Sequence, residues 1–321
     1  MLSVHRARTG YEDYRMAIKK LFSSKGFLIF PLALLLIYWA QMYYQGMDIE
    51  VPIRGATTFA TLAVMILLEL AFRYEKRVSQ KPLVLRDLSS TLMNLWVTGS
   101  VMSMVFTPVV LFLPEIFFGR SLFFASSAQL GPFWLQLILV ILFYSLMKYA
   151  IHRIQHRVSF LWELHSYHHS VTDLKASNTF VSHPLDFALR NVLPPVILGV
   201  VGFSPTAIVF GVGLLGVTGT LSHCGAGLHA GWLNHFFVTP ELHRWHHSAQ
   251  VPKGHRYSVN YGVGFILWDR IFGTYYLPIE NGVPVQPDKL GHPDGIRDES
   301  NYFKLFFMTR YLPEFLQPSK R

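Results

Sequence analysis

Residues 133–156 read FWLQLILVILFYSLMKYAIHRIQH, an apolar run long enough to cross a bilayer that ends in two histidines four apart. From Phe133 to Ile151 the only formal charge is Lys148, and about 20 apolar residues suffice to span a hydrocarbon core of roughly 30 Å. The spacing predicts one helix that continues past the membrane surface, with the His152 and His156 imidazoles on one face, a turn apart. A membrane helix delivering two imidazoles to its own end sets the reading of the rest.

Working outward, three more apolar runs precede this one: 27–44, eighteen residues without a charge, then 56–72 and 92–113. A later stretch, 192–222, is 31 residues without a charge, broken by Pro194, Pro195, Gly199, Gly202 and Pro205. That length suits a helical hairpin dipping in and out or one long kinked span, its breaks tolerated at membrane depth where neighbouring protein satisfies the freed backbone groups. Over all 321 residues 51% are hydrophobic and 15% charged, against roughly 25% charged in soluble domains. An ordinary soluble domain, a disordered chain and a collagen-like chain are all excluded. The fold expected is all-α: a polytopic membrane protein with four spans, a helical hairpin and a cytoplasmic histidine-rich helical cap.

The net charge of +9 is sorted along the chain rather than spread over it. Residues 1–26 carry six Lys or Arg and the 73–91 loop five, whereas 45–55 and 114–132 carry one each. Basic loops stay in the cytoplasm, so the N-terminus, the second loop and the polar chain from His152 onward are expected on that face. Localisation in a bacterial inner membrane is favoured over the endoplasmic reticulum. No motif supports nucleic-acid binding.

Of 15 histidines, thirteen lie between His152 and His255. Two clusters, His165-Ser166-Tyr167-His168-His169 and His243-Arg244-Trp245-His246-His247, repeat one spacing, i, i+3, i+4, which on a continuous helix gives one face. Stacking three imidazoles beside apolar neighbours gains nothing from packing, whereas neutral imidazole is the commonest metal ligand. Eight such ligands exceed the shell of one ion and suit two. Ligand type alone leaves zinc and iron both open. The single cysteine, Cys224, excludes disulfides and thiolate clusters. Isolated histidines such as His5, His235, His255 and His292 read as exposed or merely hydrogen-bonded.

The segments His152-Arg153-Ile154-Gln155-His156, Leu161-Trp162-Glu163-Leu164-His165-Ser166-Tyr167-His168-His169-Ser170 and Thr239-Pro240-Glu241-Leu242-His243-Arg244-Trp245-His246-His247-Ser248 resemble the three histidine boxes of the sterol desaturase and fatty acid hydroxylase superfamily. Asn260-Tyr261-Gly262 and Trp268-Asp269-Arg270-Ile271-Phe272-Gly273-Thr274-Tyr275 resemble its downstream signature, and the likeness covers roughly 135–277. It implies an integral membrane di-metal enzyme, generally di-iron, that uses O2 and two electrons on a lipid. It assigns ligand roles to His152, His156, His165, His168, His169, His243, His246 and His247, and by position to His223. His183, in a Ser-His-Pro-Leu segment, and His229 are further ligand candidates. Partners that orient the imidazoles are expected among Asp173, Asp186 and Asp269, with Glu163 and Glu241 as alternatives. The chain departs from the family where many members place an aspartate seven residues before the first box, for here stands Ser145, followed by Lys148; Val181 stands where an arginine is common.

The organisation expected is a basic segment at 1–26, membrane spans over 27–132, a catalytic region at 133–280 and a cytoplasmic tail at 281–321. No Gly-x-Gly-x-x-Gly dinucleotide fingerprint follows a strand and no cysteine set is present, so electrons are expected from a separate reductase, ferredoxin or cytochrome. The expected activity is O2-dependent hydroxylation of a membrane lipid, an acyl chain or an aminolipid such as an ornithine lipid, on two iron ions for which zinc is a possible substitute. Desaturation or methyl oxidation of a sterol-like lipid is the alternative. A metal transporter or non-catalytic metal-binding protein is a different class, disfavoured because the clusters follow the spans rather than lying within them.

Overall fold

The computed structural model describes residues 53–71, 84–102, 104–105, 130–227 and 229–292. The expected 1–26 segment and the 27–44 span lie outside the described residues, as do most of the 114–132 loop and the tail after 292. The described chain is mostly helical: α1 Ile53–Ala71, α2 Val84–Leu92 running into a π-helical turn Met93–Thr98, α3 Phe133–Gln155, α4 Ser159–His165, α5 Pro184–Asn191, α6 Leu193–Val201, α7 Pro205–Leu221, α8 Pro240–His246 and α9 Leu267–Ile271. An antiparallel pair of two-residue strands, β1 Ile279–Glu280 and β2 Val283–Pro284, departs from the all-α expectation. It turns on Asn281 and Gly282, both at positive φ.

Two helical segments are long and apolar enough to cross a membrane, by length and composition: Phe133–Gln155 and the α5–α6 run Pro184–Val201. The axis of the bundle is α3. Its outward side chains Trp134, Ile138, Leu142 and Phe143 are exposed although apolar, a pattern that suits lipid rather than water. Its inward side packs against α7, where a Cβ on Gly211 would lie 2.6 Å from Val140 Cγ1, so glycine is what lets the two backbones approach. Val140, Tyr144, Leu198, Phe203, Ala207 and Leu215 form the core of this junction.

The 192–222 stretch forms the expected hairpin, with a reason at each end of its turn. Gly202 terminates α6 in the left-handed conformation (φ 96°), which costs a residue without Cβ little. Ser204 then caps α7, its Oγ accepting from Ala207 N, with Pro205 in the first turn. Gln136 on α3 fastens this turn, accepting from Ser204 N (2.9 Å) and donating to Gly131 O (2.8 Å).

Two buried polar groups on the flanking helices bear on the site. Glu69 on α1 accepts from Ala176 N and Gly225 N (both 2.7 Å), tying together two loop segments. Asn94, in the π-turn, donates to Phe180 O (2.9 Å) and Ser182 O (2.8 Å). π-Bulges recur at functional sites; this one clamps the chain on both sides of Val181.

Candidate metal centre

His152 stands in the last turn of α3 and His156 at its C-cap. The two doublets depart from the one-face expectation. Helix α4 ends at His165, and His168 and His169 follow in a separate 3-10 turn; α8 ends at His246, leaving His247 as its C-cap. Consecutive histidines therefore diverge, and the nine sort into two groups. The ligating nitrogens of His152, His156, His165, His169 and His246 lie within 4.8 Å of one another, as do those of His168, His223, His243 and His247. Each doublet gives one imidazole to each group.

The ring orientations follow from what each Nδ1 touches. Nδ1 of His152 lies 2.8 Å from Tyr261 O, that of His168 2.9 Å from Val181 O, that of His246 2.8 Å from Val259 O, and that of His165 3.0 Å from Asp186 Oδ1. Carbonyls and carboxylates only accept, so these Nδ1 atoms carry the proton and Nε2 is left with a bare lone pair. Yet His152 Nε2 and His165 Nε2 are 3.0 Å apart, His169 Nε2 and His246 Nε2 3.1 Å, and His223 Nε2 and His243 Nε2 3.0 Å. For His152 and His165, whose Nδ1 atoms both carry the proton, two lone pairs face each other and repel unless a cation lies between them; in the other two pairs one ring's Nε2–H can donate to the other. Among the described residues, both nitrogens of His247, His156 Nε2 and His243 Nδ1 are buried without a hydrogen-bond partner, a cost of about 1–3 kcal/mol each that a metal bond would remove for His156 and for one nitrogen of His247.

The five donors of the first group exceed the four that a tetrahedral zinc shell takes. Burial, reinforced by the neighbouring imidazoles, holds His169, His243 and His247 well below the ordinary histidine range, and burial brings His223 and His246 down to about 3. The rings are neutral, the state that binds metal.

The supporting shell explains the downstream signature. Asp269 accepts from Tyr261 N and Gly262 N (both 2.7 Å) and from Thr274 Oγ1 (2.7 Å), fixing the loop whose Tyr261 carbonyl orients His152. A Cβ on Gly262 would sit 2.6 Å from both Asp269 Oδ2 and Phe265 O, so this loop closes only over glycine. Asn260, at φ 54°, donates to Leu242 O (3.0 Å) and Tyr276 O (2.8 Å) and so ties α8 to the same loop. Asp186, fully buried, accepts from Gln155 Nε2 (2.7 Å) and Arg190 Nη2 (2.8 Å) besides His165 and Ser182 Oγ. Asp269 thus acts on His152 through the main chain, whereas Asp186 touches His165 itself.

Other expected residues are placed elsewhere. Asp173 pairs with Lys175 (3.2 Å), and its carbonyl accepts from Asn178 Nδ2 (2.6 Å). His183 caps α5, its Nδ1 accepting from Leu185 N, and His229 bonds Glu241 Oε1 (2.8 Å) with its ring half-exposed; neither belongs to the two groups. Glu241 also takes Asn234 Nδ2 (2.6 Å) and Ala230 N (3.1 Å), fastening the loop before α8 rather than one of the nine grouped histidines. His292 is buried, its ring 5.3 Å from Trp162, which itself packs 4.9 Å from His156. Ser145, at the family's aspartate position, accepts from Trp268 Nε1 (2.9 Å), and His152 takes its support from Tyr261 instead.

Sequence reasoning missed Asn178, whose Oδ1 faces His223 Nδ1 at 3.4 Å, and Glu69. A lone acid inside an apolar run is the signal that could have found Glu69. A cavity of about 730 Å³ opens beside the histidines, reaching His152, His168, His223 and His243 at one end and lined elsewhere by apolar residues of α6 and α7, among them Pro195, Val196, Ile208 and Val212.

Among the described residues, two apolar helices and two adjoining buried imidazole groups beside a largely apolar cavity suit a di-metal site at a membrane. Residues 137–274 match the family model "Fatty acid hydroxylase", and that segment is similar to the fatty acid hydroxylase superfamily. It is 33% identical over 148 residues to the ornithine lipid hydroxylase OlsE of Rhizobium tropici, covering 46% of this chain and 44% of that protein. It is 31% identical over 144 residues to the human fatty acid hydroxylase domain-containing protein 2 (44% and 39% covered), and 29% over 143 residues to sphinganine C4-monooxygenase 2 of Arabidopsis thaliana (44% and 54%). The match therefore spans about half or less of these relatives' own length. No solved structure matches the chain.

Proposed function

We propose that this protein is an O2-dependent hydroxylase of a membrane lipid, working on two iron ions held by the nine grouped histidines. The observation that carries the reading is the gathering of nine imidazoles into two groups that share both doublets, with the bare Nε2 atoms of His152 and His165 3.0 Å apart. His152, His156, His165, His169 and His246 would hold one ion and His168, His223, His243 and His247 the other. Bound iron supplies the O2-derived oxidising power for an unactivated C–H bond; the protein supplies ligands, dryness and orientation. Tyr261 and Val259 carbonyls and Asp186 keep the donor nitrogens aimed inward. The cavity admits an apolar chain to His152, His168, His223 and His243 while α6 and α7 keep water away.

The likeness to OlsE favours an aminolipid, and the likeness to a sphinganine C4-monooxygenase favours hydroxylation as the outcome. Two electrons per turnover come from an external reductase, ferredoxin or cytochrome. Four spans and a cytoplasmic site, argued from the basic loops, complete the proposal. Comparative lipid mass spectrometry of cells with and without the gene tests it: a +16 shift in one lipid class is expected, a −2 shift would indicate desaturation, and an unchanged lipidome with no bound iron would refute it.

A further inference from the structure

The stripe Tyr144, Lys148, His152 runs along α3 at intervals of one turn, and all three side chains line the cavity. Lys148 is 5% exposed. Its Nζ donates to one neutral oxygen, Asn191 Oδ1 (2.6 Å), and stands 5.8 Å from the Tyr144 ring; among the described residues no carboxylate pairs with it. A second cation, Arg190, shares the same wall, but its charge is met by Asp186 (2.8 Å) behind the cavity. No aspartate or glutamate is among the described residues lining the cavity. A buried ammonium without a counter-ion is costly, and an ionisable residue at membrane depth marks a functional site by default.

Resting on the lipid-oxidising reading above, we propose that Lys148, presented by Asn191, is the binding point for an anionic group of the substrate, a carboxylate or a phosphate, in the cavity beside the histidines. Lys148 precedes His152 by four residues, about 6 Å along the helix axis. The carbon brought to the metal end is therefore only a few bonds from the anion, and oxidation falls near the charged end of the lipid rather than along its tail. Tyr144, one turn further on, sets the far edge of the polar pocket, and the apolar walls of α6 and α7 take the hydrocarbon. Lys148 is a positioning residue.

The test is equilibrium binding to the metal-loaded full chain in neutral detergent, with oleate, oleyl phosphate and oleyl alcohol as probes sharing one tail. Wild type is expected to hold at least one anionic probe about 10-fold or more tighter than the alcohol; which of the two wins identifies carboxylate or phosphate. Lys148→Met should erase that preference while leaving alcohol affinity and metal content near wild type, and Lys148→Arg should keep much of it. Asn191→Asp, close in shape, places a carboxylate against the ammonium and should also erase the preference, so the inference stays testable if Lys148→Met does not fold. An undiminished preference for anions in Lys148→Met or Asn191→Asp, or none in wild type, overturns it. Failure of the hydroxylase reading would look different: no bound iron and no oxidised lipid, with the anion preference intact.

Discussion

Asp186→Asn separates the two groups of histidines by experiment. The carboxylate accepts from His165 Nδ1 (3.0 Å), Gln155 Nε2 (2.7 Å), Arg190 Nη2 (2.8 Å) and Ser182 Oγ, and it is fully buried. The amide keeps one oxygen for His165 and Gln155 but turns an NH2 toward the Arg190 guanidinium, donor against donor, and removes the only carboxylate paired with it among the described residues. Breaking a buried ion pair costs about 3–5 kcal/mol, a large part of a total stability of about 5–15 kcal/mol. For the metal, weakening the partner behind a ligating histidine typically costs 10- to 100-fold in affinity; Asn, which still accepts from His165, belongs near the low end and Asp186→Ala near the high end. His168 and His223 are oriented by Val181 and Asn178 instead, so the second group should be spared. Anaerobic ferrous titration of the purified protein, counting bound iron, is the assay. One ion should bind as in wild type and the other about 10-fold more weakly. Equal weakening of both, or of neither, would refute the assignment of Asp186 to one group.

Other outcomes follow from the same geometry. His168→Ala removes a donor of the second group only and should leave about one iron per chain with hydroxylation lost; two tightly bound ions would show His168 is no ligand. Gly262→Ala should lower stability by about 1–3 kcal/mol through overpacking, because its Cβ meets Asp269 Oδ2 and Phe265 O at 2.6 Å; an unchanged melting temperature would contradict the close approach. Burial pushes the Asp269 carboxyl up to about 6 against the hydrogen bonds from Thr274, Gly262 and Tyr261. A raised carboxyl favours the protonated folded state, so wild type should lose stability relative to Asp269→Asn as pH rises from about 4 to 6 and lose no more above that; a gain over that range would mean the hydrogen bonds win. In a Cys224→Ala background, cysteines placed at the exposed positions 158 and 253 should react with a membrane-impermeant reagent from the cytoplasmic side alike, and labelling from opposite sides would refute the proposed topology.

The histidine spacing made visible in the sequence which residues stand together, because an imidazole stripe has no packing rationale and a membrane helix fixes where His152 begins. It did not show how they are divided. The i, i+3, i+4 pattern presumes an unbroken helix, and whether α4 stops at His165 depends on tertiary contacts such as the Val181 carbonyl reaching His168 Nδ1. The orienting groups were harder still. Tyr261, Val259 and Val181 act through carbonyl oxygens, which every residue has, so no side-chain pattern announces them. Asp269 was legible as part of a motif but not as the clamp on that carbonyl. The hairpin at 192–222 was legible because Gly202, Ser204 and Pro205 are local stop and start signals that need no tertiary information.

The clamp at 260–276 has a consequence for how the protein is made. Every one of the nine grouped histidines is synthesised before Tyr261, whose carbonyl aims His152, and before Tyr276, to which Asn260 ties α8. These are contacts between residues as many as 109 apart, so loop closure delays them. At roughly 5–20 residues per second, a nascent chain spends seconds with all its imidazoles made and none of the first support for His152. Iron or other divalent ions met in that interval face an unsorted set of histidines, and a chain cut between 247 and 260 would keep every ligand while losing the means to hold two ions apart.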